Sequence, residues 1–272
     1  MIPNVLSIAG SDPSGGAGIQ ADLKAFSAHG AYGMAALTAL TAQNTRGVTG
    51  VETVRPGFVA DQIAAVFDDV RVDAVKIGMI ASAEIADAVA DILRRVCDAP
   101  IVLDPVMVAK GGARLLAEDA IEAVRHRLMP LAFIVTPNVP ELAVLTDNMP
   151  APDRAALSAQ AAACLHHGSR AILAKGGHLD EAASPDVLIM AGDGDGHAPV
   201  WFEGMRHLTS NTHGTGCTLS SAIAARLAQG DDVHAAVETA KCYIDRAIAG
   251  ADRLSVGSGH GPIHHFVDLW ER

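Results

Sequence analysis

The sequence predicts an α/β fold built on a mainly parallel sheet with helices on both faces, and three observations carry that prediction. Short apolar runs bounded by Gly, Pro or Asp alternate with amphipathic segments along the chain, the rhythm of βα units whose strands are buried on both sides. Half of the 272 residues are hydrophobic and only 4% aromatic, so one large aliphatic core of Ala, Val, Ile and Leu is expected. No linker, composition shift or fixed-period repeat divides the chain, so residues 1–272 are read as a single domain.

The first strand is expected at Val5 to Ala9, followed by a helix marked by Ile19, Leu23 and Phe26. Met34 to Thr41 reads as the second strand, and Val59, Ile63, Val66 and Phe67 mark the next helix. A strand at Ala74 to Ile77 precedes a helix carried by Ile85, Val89, Ile92, Leu93 and Val96, with Ser82 as N-cap and Glu84 beside it. Strand Ile101 to Leu103 leads to a helix near Glu118 to Leu128, and strand Phe133 to Thr136 to helices Pro140 to Leu145 and Asp153 to His167. Strand Ala171 to Ala174 follows, then an antiparallel hairpin over Asp186 to Phe202 around a Gly/Asp turn, and helices Thr218 to Ala228 and Val233 to Ala249.

A formal net charge of −11 with scattered Lys and Arg argues against nucleic acid or an anionic membrane as partner. An acidic chain that binds a phosphorylated ligand then needs local donors, a metal ion or a few placed cations. The four cysteines, Cys97, Cys164, Cys217 and Cys242, lie far apart without a C-x-x-C, which fits a reduced cytoplasmic protein and suggests neither a zinc site nor a disulfide framework. No signal peptide is expected, since Met1 to Asn4 lacks a basic region and the apolar run after it is only strand length, and no membrane span, because the longest apolar stretch, near Tyr32 to Ala42, is broken by Gly33, Thr38 and Thr41.

Ligands of open α/β sheets bind beyond the carboxyl ends of the strands, and here nearly every strand ends in a polar or glycine-rich segment. The most informative is Asn211-Thr-His-Gly-Thr-Gly-Cys-Thr-Leu-Ser-Ser-Ala-Ile-Ala-Ala225, a glycine turn running into a helix. Gly214 and Gly216 are expected to take positive φ and approach a ligand closely, and the helix N-H groups that follow form an anion site. Cys217 stands at the mouth of that helix, a position that lowers a thiol pKa; a glycine-capped loop with a small buried cysteine is the alternative reading.

The first loop, Gly10-Ser-Asp-Pro-Ser-Gly-Gly-Ala-Gly18, fits neither the P-loop nor the dinucleotide fingerprint. A structural turn and a ligand lid both suit it, and Asp22, one turn into the next helix, could accept a hydrogen bond from a ligand amino group. Asp104, and Asn138 with Glu141, follow strands where carboxylates suit magnesium; helix capping is the other reading of Asn138 and Glu141. Lys175 supplies a cation at a strand end. The histidines near the end, His260, His264 and His265, are read as belonging to a mobile glycine-rich segment and not to a metal site.

Taken together, Ala9 to Lys24, Thr41-Ala-Gln-Asn-Thr-Arg-Gly-Val48, Lys76-Ile-Gly-Met79, Asp104-Pro-Val-Met-Val-Ala-Lys-Gly-Gly112, Thr136-Pro-Asn-Val-Pro-Glu141, Lys175-Gly-Gly-His178 and the Asn211 to Ala225 segment resemble the hydroxymethylpyrimidine/phosphomethylpyrimidine kinases of thiamine biosynthesis. These belong to the ribokinase-like superfamily. The blocks span nearly the whole chain, and Pro13 is the one departure, where a small polar residue is commoner.

The resemblance implies a three-layer α/β/α fold and a homodimer that uses ATP and Mg²⁺ to phosphorylate 4-amino-5-hydroxymethyl-2-methylpyrimidine and then its monophosphate. It implies that Gly10, Asp22, Gln43 and Met79 bind the pyrimidine, and that Asn138, Lys175 and Thr212 bind ATP. Glu141 and Asp104 would serve the metal, and Gly214, Thr215, Gly216, Cys217 and Lys175 the chemistry. Cysteine at 217, where most sugar kinases of the superfamily have aspartate, would avoid repelling the second, anionic acceptor. No fused thiamine-phosphate synthase domain is expected. Pyridoxal kinases, some of which share the Gly-Thr-Gly-Cys turn, are the nearest alternative; a non-catalytic pyrimidine sensor and a nucleotide-dependent oxidoreductase are the others.

Overall fold

The computed structural model describes residues 1–107, 117–192 and 198–270. Its main sheet has eight strands in the order β10-β9-β8-β7-β6-β5-β1-β2. These are β1 Asn4–Ala9, β2 Tyr32–Leu37, β5 Ala74–Ile77, β6 Ile101–Leu103, β7 Ile134–Val135, β8 Ala171–Lys175, β9 Asp186–Met190 and β10 Val200–Phe202. From β2 to β8 all neighbours run parallel, and β9 and β10 close one edge antiparallel.

Alternation along the strands sends side chains into two separate cores. Leu6, Ile8, Val75, Ile77, Ile101 and Leu103 pack on one face against α2 Pro56–Asp69, α3 Ala83–Val96, α4 Glu118–Ala123, α5 Val139–Leu145 and α6 Arg154–Cys164. Val5, Ala74, Val102 and Leu173 face α1 Gly18–Ala28, α7 Thr215–Ala228 and α8 Val233–Ala249 on the other. Three layers therefore form, as the resemblance implied. Ser82 caps α3 by accepting from Ile85 N, and Glu84 lies in its first turn.

The expected strand Met34 to Thr41 is in fact two elements. Thr38, fully buried, donates its N-H to Ala9 O and its hydroxyl to Met79 O, and these bonds turn the chain out of the main sheet. Beyond it β3 Ala39–Asn44 pairs antiparallel with β4 Gly47–Thr53, forming a separate two-stranded flap. Strand β4 was not expected, because it is almost wholly exposed and carries no apolar alternation. The hairpin over Asp186 to Phe202 is present as β9 and β10, with its turn, 193–197, outside the described residues.

The terminal histidines depart from expectation too. His264 and His265 are 3% and 4% exposed, and the Tyr243 hydroxyl donates to His265 O. Ile263 fills the second core and the segment pairs His213 with Pro262, so the glycines here make turns in a packed strap.

Strand order reverses between β1, which continues to β2, and β5, which continues through β6, β7 and β8 in the opposite direction. That is a switch point, where loops leaving adjacent strands diverge and open a crevice at their carboxyl ends.

Candidate active site

A cavity of about 560 Å³ fills that crevice. Gly10 and Asp12 reach it from the loop after β1, Thr41, Gln43 and Val48 from the flap, and Met79 from the end of β5. Asp104 follows β6, Asn138 and Glu141 open α5, Lys175 ends β8, and Thr212 to Cys217 lead into α7. Packing thus brings together residues more than 200 positions apart in sequence.

The turn before α7 has the form of an anion site. Gly214 takes φ 79°, and a Cβ there would lie 1.8 Å from Gly16 O, so the turn and the first glycine loop touch backbone to backbone. Gly216, expected to share the positive φ, does not. Its missing side chain matters for proximity, since a Cβ would stand 3.3 Å from Lys175 Nζ and 3.6 Å from Asp104 Oδ2. Residues Gly214 to Cys217 all line the cavity, so the N-terminus of a 14-residue helix opens onto it.

Charge is concentrated opposite that turn. Lys175 Nζ lies 3.0 Å from Asp104 Oδ1 and 3.9 Å from Glu141 Oε2, and its backbone N-H bonds Pro137 O. Burial opposes its charge, but Asp104 and Glu141 hold the ammonium above its ordinary value. The capping reading of Asn138 and Glu141 is realised: Asn138 Oδ1 accepts from Glu141 N while Glu141 Oε2 accepts from Asn138 N. Glu141 nevertheless lines the cavity, and burial, with Asp104 adding to it against Lys175, pushes its carboxyl up to about 7. A second cation would relieve this excess of negative charge. An ion such as Mg²⁺ takes one or two carboxylates and completes its shell with water and phosphate. Asp104 and Glu141 fit that requirement.

The flap side joins the uncharged Gln43 to a His213–Asp12 pair. Gln43 Nε2 lies 3.4 Å from His213 Nε2, which is 2.7 Å from Asp12 Oδ2. Asp12 also accepts from Ser14 and Ala17 within its own loop. Burial works against its charge, yet His213 and Ser14 keep its carboxyl below the ordinary range. Gly10 is packed so closely on Met79 that a Cβ would come within 2.3 Å of Met79 Cε.

Residues 12–264 match the family model described as phosphomethylpyrimidine kinase. The chain belongs to this family. It is 50% identical over 267 residues to the hydroxymethylpyrimidine/phosphomethylpyrimidine kinase of Salmonella typhimurium, an alignment covering 98% of each protein. The crystal structure of a phosphomethylpyrimidine kinase from Clostridium difficile superimposes with a TM-score of 0.78 at 41% identity, covering 90% of this chain and 99% of that one. An ADP complex of Bacillus subtilis pyridoxal kinase gives a TM-score of 0.87 at 32% identity, covering 97% and 98%. These matches make the ribokinase-like fold and the kinase class plain.

Against this phosphomethylpyrimidine kinase frame, most of the sequence-predicted site residues meet in one place. Gly10, Gln43, Met79, Asp104, Asn138, Glu141, Lys175, Thr212, Gly214, Thr215, Gly216 and Cys217 all line the cavity. Asp22 does not. It is fully buried below the cavity, where Oδ1 and Oδ2 each lie 2.9 Å from Lys76 Nζ and the carboxylate accepts from the Ser7 and Ser221 hydroxyls. Its acceptor capacity is spent on the protein, so the expected bond to a ligand amino group is corrected.

Cys217 is corrected as well. Burial, which outweighs the nearby Lys76 charge, pushes its thiol up to about 11 instead of lowering it at the helix mouth. Among the cavity residues to which the sequence reading gave no role are Asp12, His213 and Lys76. Only Lys76 left a usable signal, as a charged residue inside the strand Ala-Val-Lys-Ile.

Proposed function

We propose that the chain is a bifunctional ATP-dependent kinase that phosphorylates 4-amino-5-hydroxymethyl-2-methylpyrimidine and then its monophosphate to the diphosphate, in thiamine biosynthesis. The observation that carries this reading is one cavity with two unlike walls. A wall of Gly10, Gln43 and Met79, with the His213–Asp12 pair behind Gln43, suits a small polar heterocycle, and the wall facing it combines a helix N-terminus with Lys175. Phosphoryl transfer needs little from the protein beyond such positioning and charge stabilisation.

In this reading Gln43 orients the aminopyrimidine through its amide, with Gly10 and Met79 against the ring. Asn138 and Thr212 hold the nucleotide, and the Gly214 to Cys217 turn receives the transferred phosphoryl group. Lys175 neutralises charge on it. Mg²⁺ held by Glu141 and Asp104 would neutralise the nucleotide phosphates when bound. The 272 residues act as one catalytic unit in the cytoplasm and associate as a homodimer, which light scattering tests. Among the described residues no helix is long and apolar enough to cross a membrane.

The deciding experiment is an ATP/Mg²⁺ assay on hydroxymethylpyrimidine, its monophosphate and pyridoxal, followed by mass. Two successive additions to the pyrimidine are expected, and no addition to it would sink the proposal. The TM-score of 0.87 to a pyridoxal kinase favours pyridoxal as a second substrate, which the same assay reads.

Two further outcomes follow from the charges. Glu141 keeps its proton up to about 7 in the folded chain against an ordinary 4.5, so it contributes stability below 4.5 that is lost as pH rises to about 7. Metal binding needs the carboxylate, so apparent Mg²⁺ affinity should rise about tenfold per pH unit up to about 7 and then level off. Equal half-saturating Mg²⁺ at pH 6 and 8 would contradict this. Second, Cys217→Asp should keep the first phosphorylation within about tenfold and depress the second further, because it adds a carboxylate facing an anionic acceptor. An equal gain in both steps, measured as kcat/KM, would rule that explanation out.

A further inference from the structure

His213 lines the cavity without a role in the reading above. Its backbone is held by the C-terminal strap, with the N-H donating to Gly261 O and a bridge to Pro262. Its ring passes beside Gly16, where a Cβ would come within 2.4 Å of His213 Cδ2, so glycine at that position lets the imidazole reach the first loop. There His213 Nε2 lies 2.7 Å from Asp12 Oδ2. From the flap, where the β3–β4 register shifts between Ala42 and Gln43, the Gln43 amide comes within 3.4 Å of the same nitrogen. Such a shift re-aims a side chain beside a site.

The direction of these bonds follows from what each group can give. Asp12 is buried and already accepts the N-H groups of Ser14 and Ala17; burial opposes its charge, but His213 and Ser14 keep it ionised. An ionised carboxylate only accepts, so His213 Nε2 carries a hydrogen whatever the state of Nδ1. It therefore cannot accept from Gln43. The Thr41 hydroxyl has one hydrogen, and Ser11 O at 2.9 Å holds it more closely than Gln43 Oε1 at 3.3 Å. Turning the Gln43 amide end for end satisfies both neighbours: its oxygen then accepts from His213 Nε2, and its nitrogen donates to Thr41 Oγ1.

We infer that His213 is a positioning residue that holds the Gln43 amide in this one orientation, and so selects a ligand edge in which an amino group lies beside a ring nitrogen. The inference rests on the kinase reading and deepens it. With one lone pair given to His213 and one hydrogen to Thr41, the amide keeps one acceptor and one donor for a ligand. The acceptor takes an amino N-H of the aminopyrimidine, and the donor meets the neighbouring ring nitrogen. Thr41 can swing its hydroxyl to suit either orientation of the amide. The His213 N-H is fixed by Asp12, so His213 decides between them.

The test is calorimetric binding, without nucleotide, of 4-amino-5-hydroxymethyl-2-methylpyrimidine and of its 4-oxo analogue, whose carbonyl and ring N-H reverse the donor and the acceptor. The unaltered protein should favour the amino compound by about 100-fold or more, since the reversed edge sets like groups against each other. His213→Leu frees the amide to turn, and the preference should fall at least about tenfold, while His213→Gln, which keeps an N-H donor, should hold it within about threefold. A merely structural role would weaken both ligands alike and leave their ratio unmoved. Asp12 keeps Ser14 and Ala17 as donors in His213→Leu, so its carboxylate is not left unpaired. If that variant does not fold, His213→Asn, whose side chain is too short to bridge Asp12 and Gln43, is measured with the same expectation. A ratio in the variant equal to that of the unaltered protein overturns the inference, whatever the absolute affinities, and so does a preference below about tenfold in the unaltered protein. Failure of the kinase reading would appear separately, as no phosphorylation of the pyrimidine by the unaltered protein.

Discussion

Replacing Lys175 by methionine is expected to lower kcat for both phosphorylations by about 10²–10³, the usual effect of removing one preorganised donor from a transition state, worth about 3–4 kcal/mol. Lys175 stands beside the turn that would receive the phosphoryl group, since a Cβ on Gly216 would lie 3.3 Å from its Nζ. It is preorganised by the 3.0 Å contact to Asp104 and by its backbone bond to Pro137, so it needs no rearrangement as charge develops. The flap residue Gln43 and the Gly10–Met79 contact lie across the cavity and are untouched, so KM for the pyrimidine should stay within about threefold. Steady-state kinetics at saturating ATP and Mg²⁺ measures both quantities. A loss below tenfold would mean that the helix turn stabilises the transferred charge without Lys175.

Asp22→Ala is expected to cost about 3–5 kcal/mol of stability, because it leaves the Lys76 ammonium buried without its counter-ion. Both side chains are 0% exposed. The Ser7 and Ser221 hydroxyls, which now donate to the carboxylate, would lose their acceptor at the same time. Urea denaturation reads the loss, and adding Lys76→Met should recover most of it, as replacing a whole buried pair by apolar groups commonly does. This outcome separates the two readings of Asp22. A residue that only bound the ligand amino group would raise KM and leave stability unchanged.

How much was legible in the sequence follows from what each signal depends on. The strands Ala74 to Ile77 and Ile101 to Leu103 and the helix Val233 to Ala249 were readable to the residue, because burial on both faces of a strand, or on one helical stripe, writes itself into the local pattern. Strand β4 left no such trace because the flap is exposed. The break at Thr38 was invisible for another reason, as it depends on bonds to Ala9 and Met79, the latter 41 positions away. Most of the candidate site was legible because glycine turns and strand-end carboxylates are local features. Asp12 and His213 were not, since their contact joins positions 201 apart.

The sequence alone therefore determined the βα order, the glycine turn that opens α7, and the family to which the motifs belong, all of them properties of short contiguous segments. Only the tertiary structure decided which polar groups share a desolvated environment. It turned Asp22 from a ligand contact into the counter-ion of Lys76, and it raised the Cys217 thiol that the helix mouth was expected to lower. The physical reason is common to both: hydration and charge neighbours are set by packing across the sheet, and a residue's identity and spacing carry no record of how much water the finished fold leaves around it.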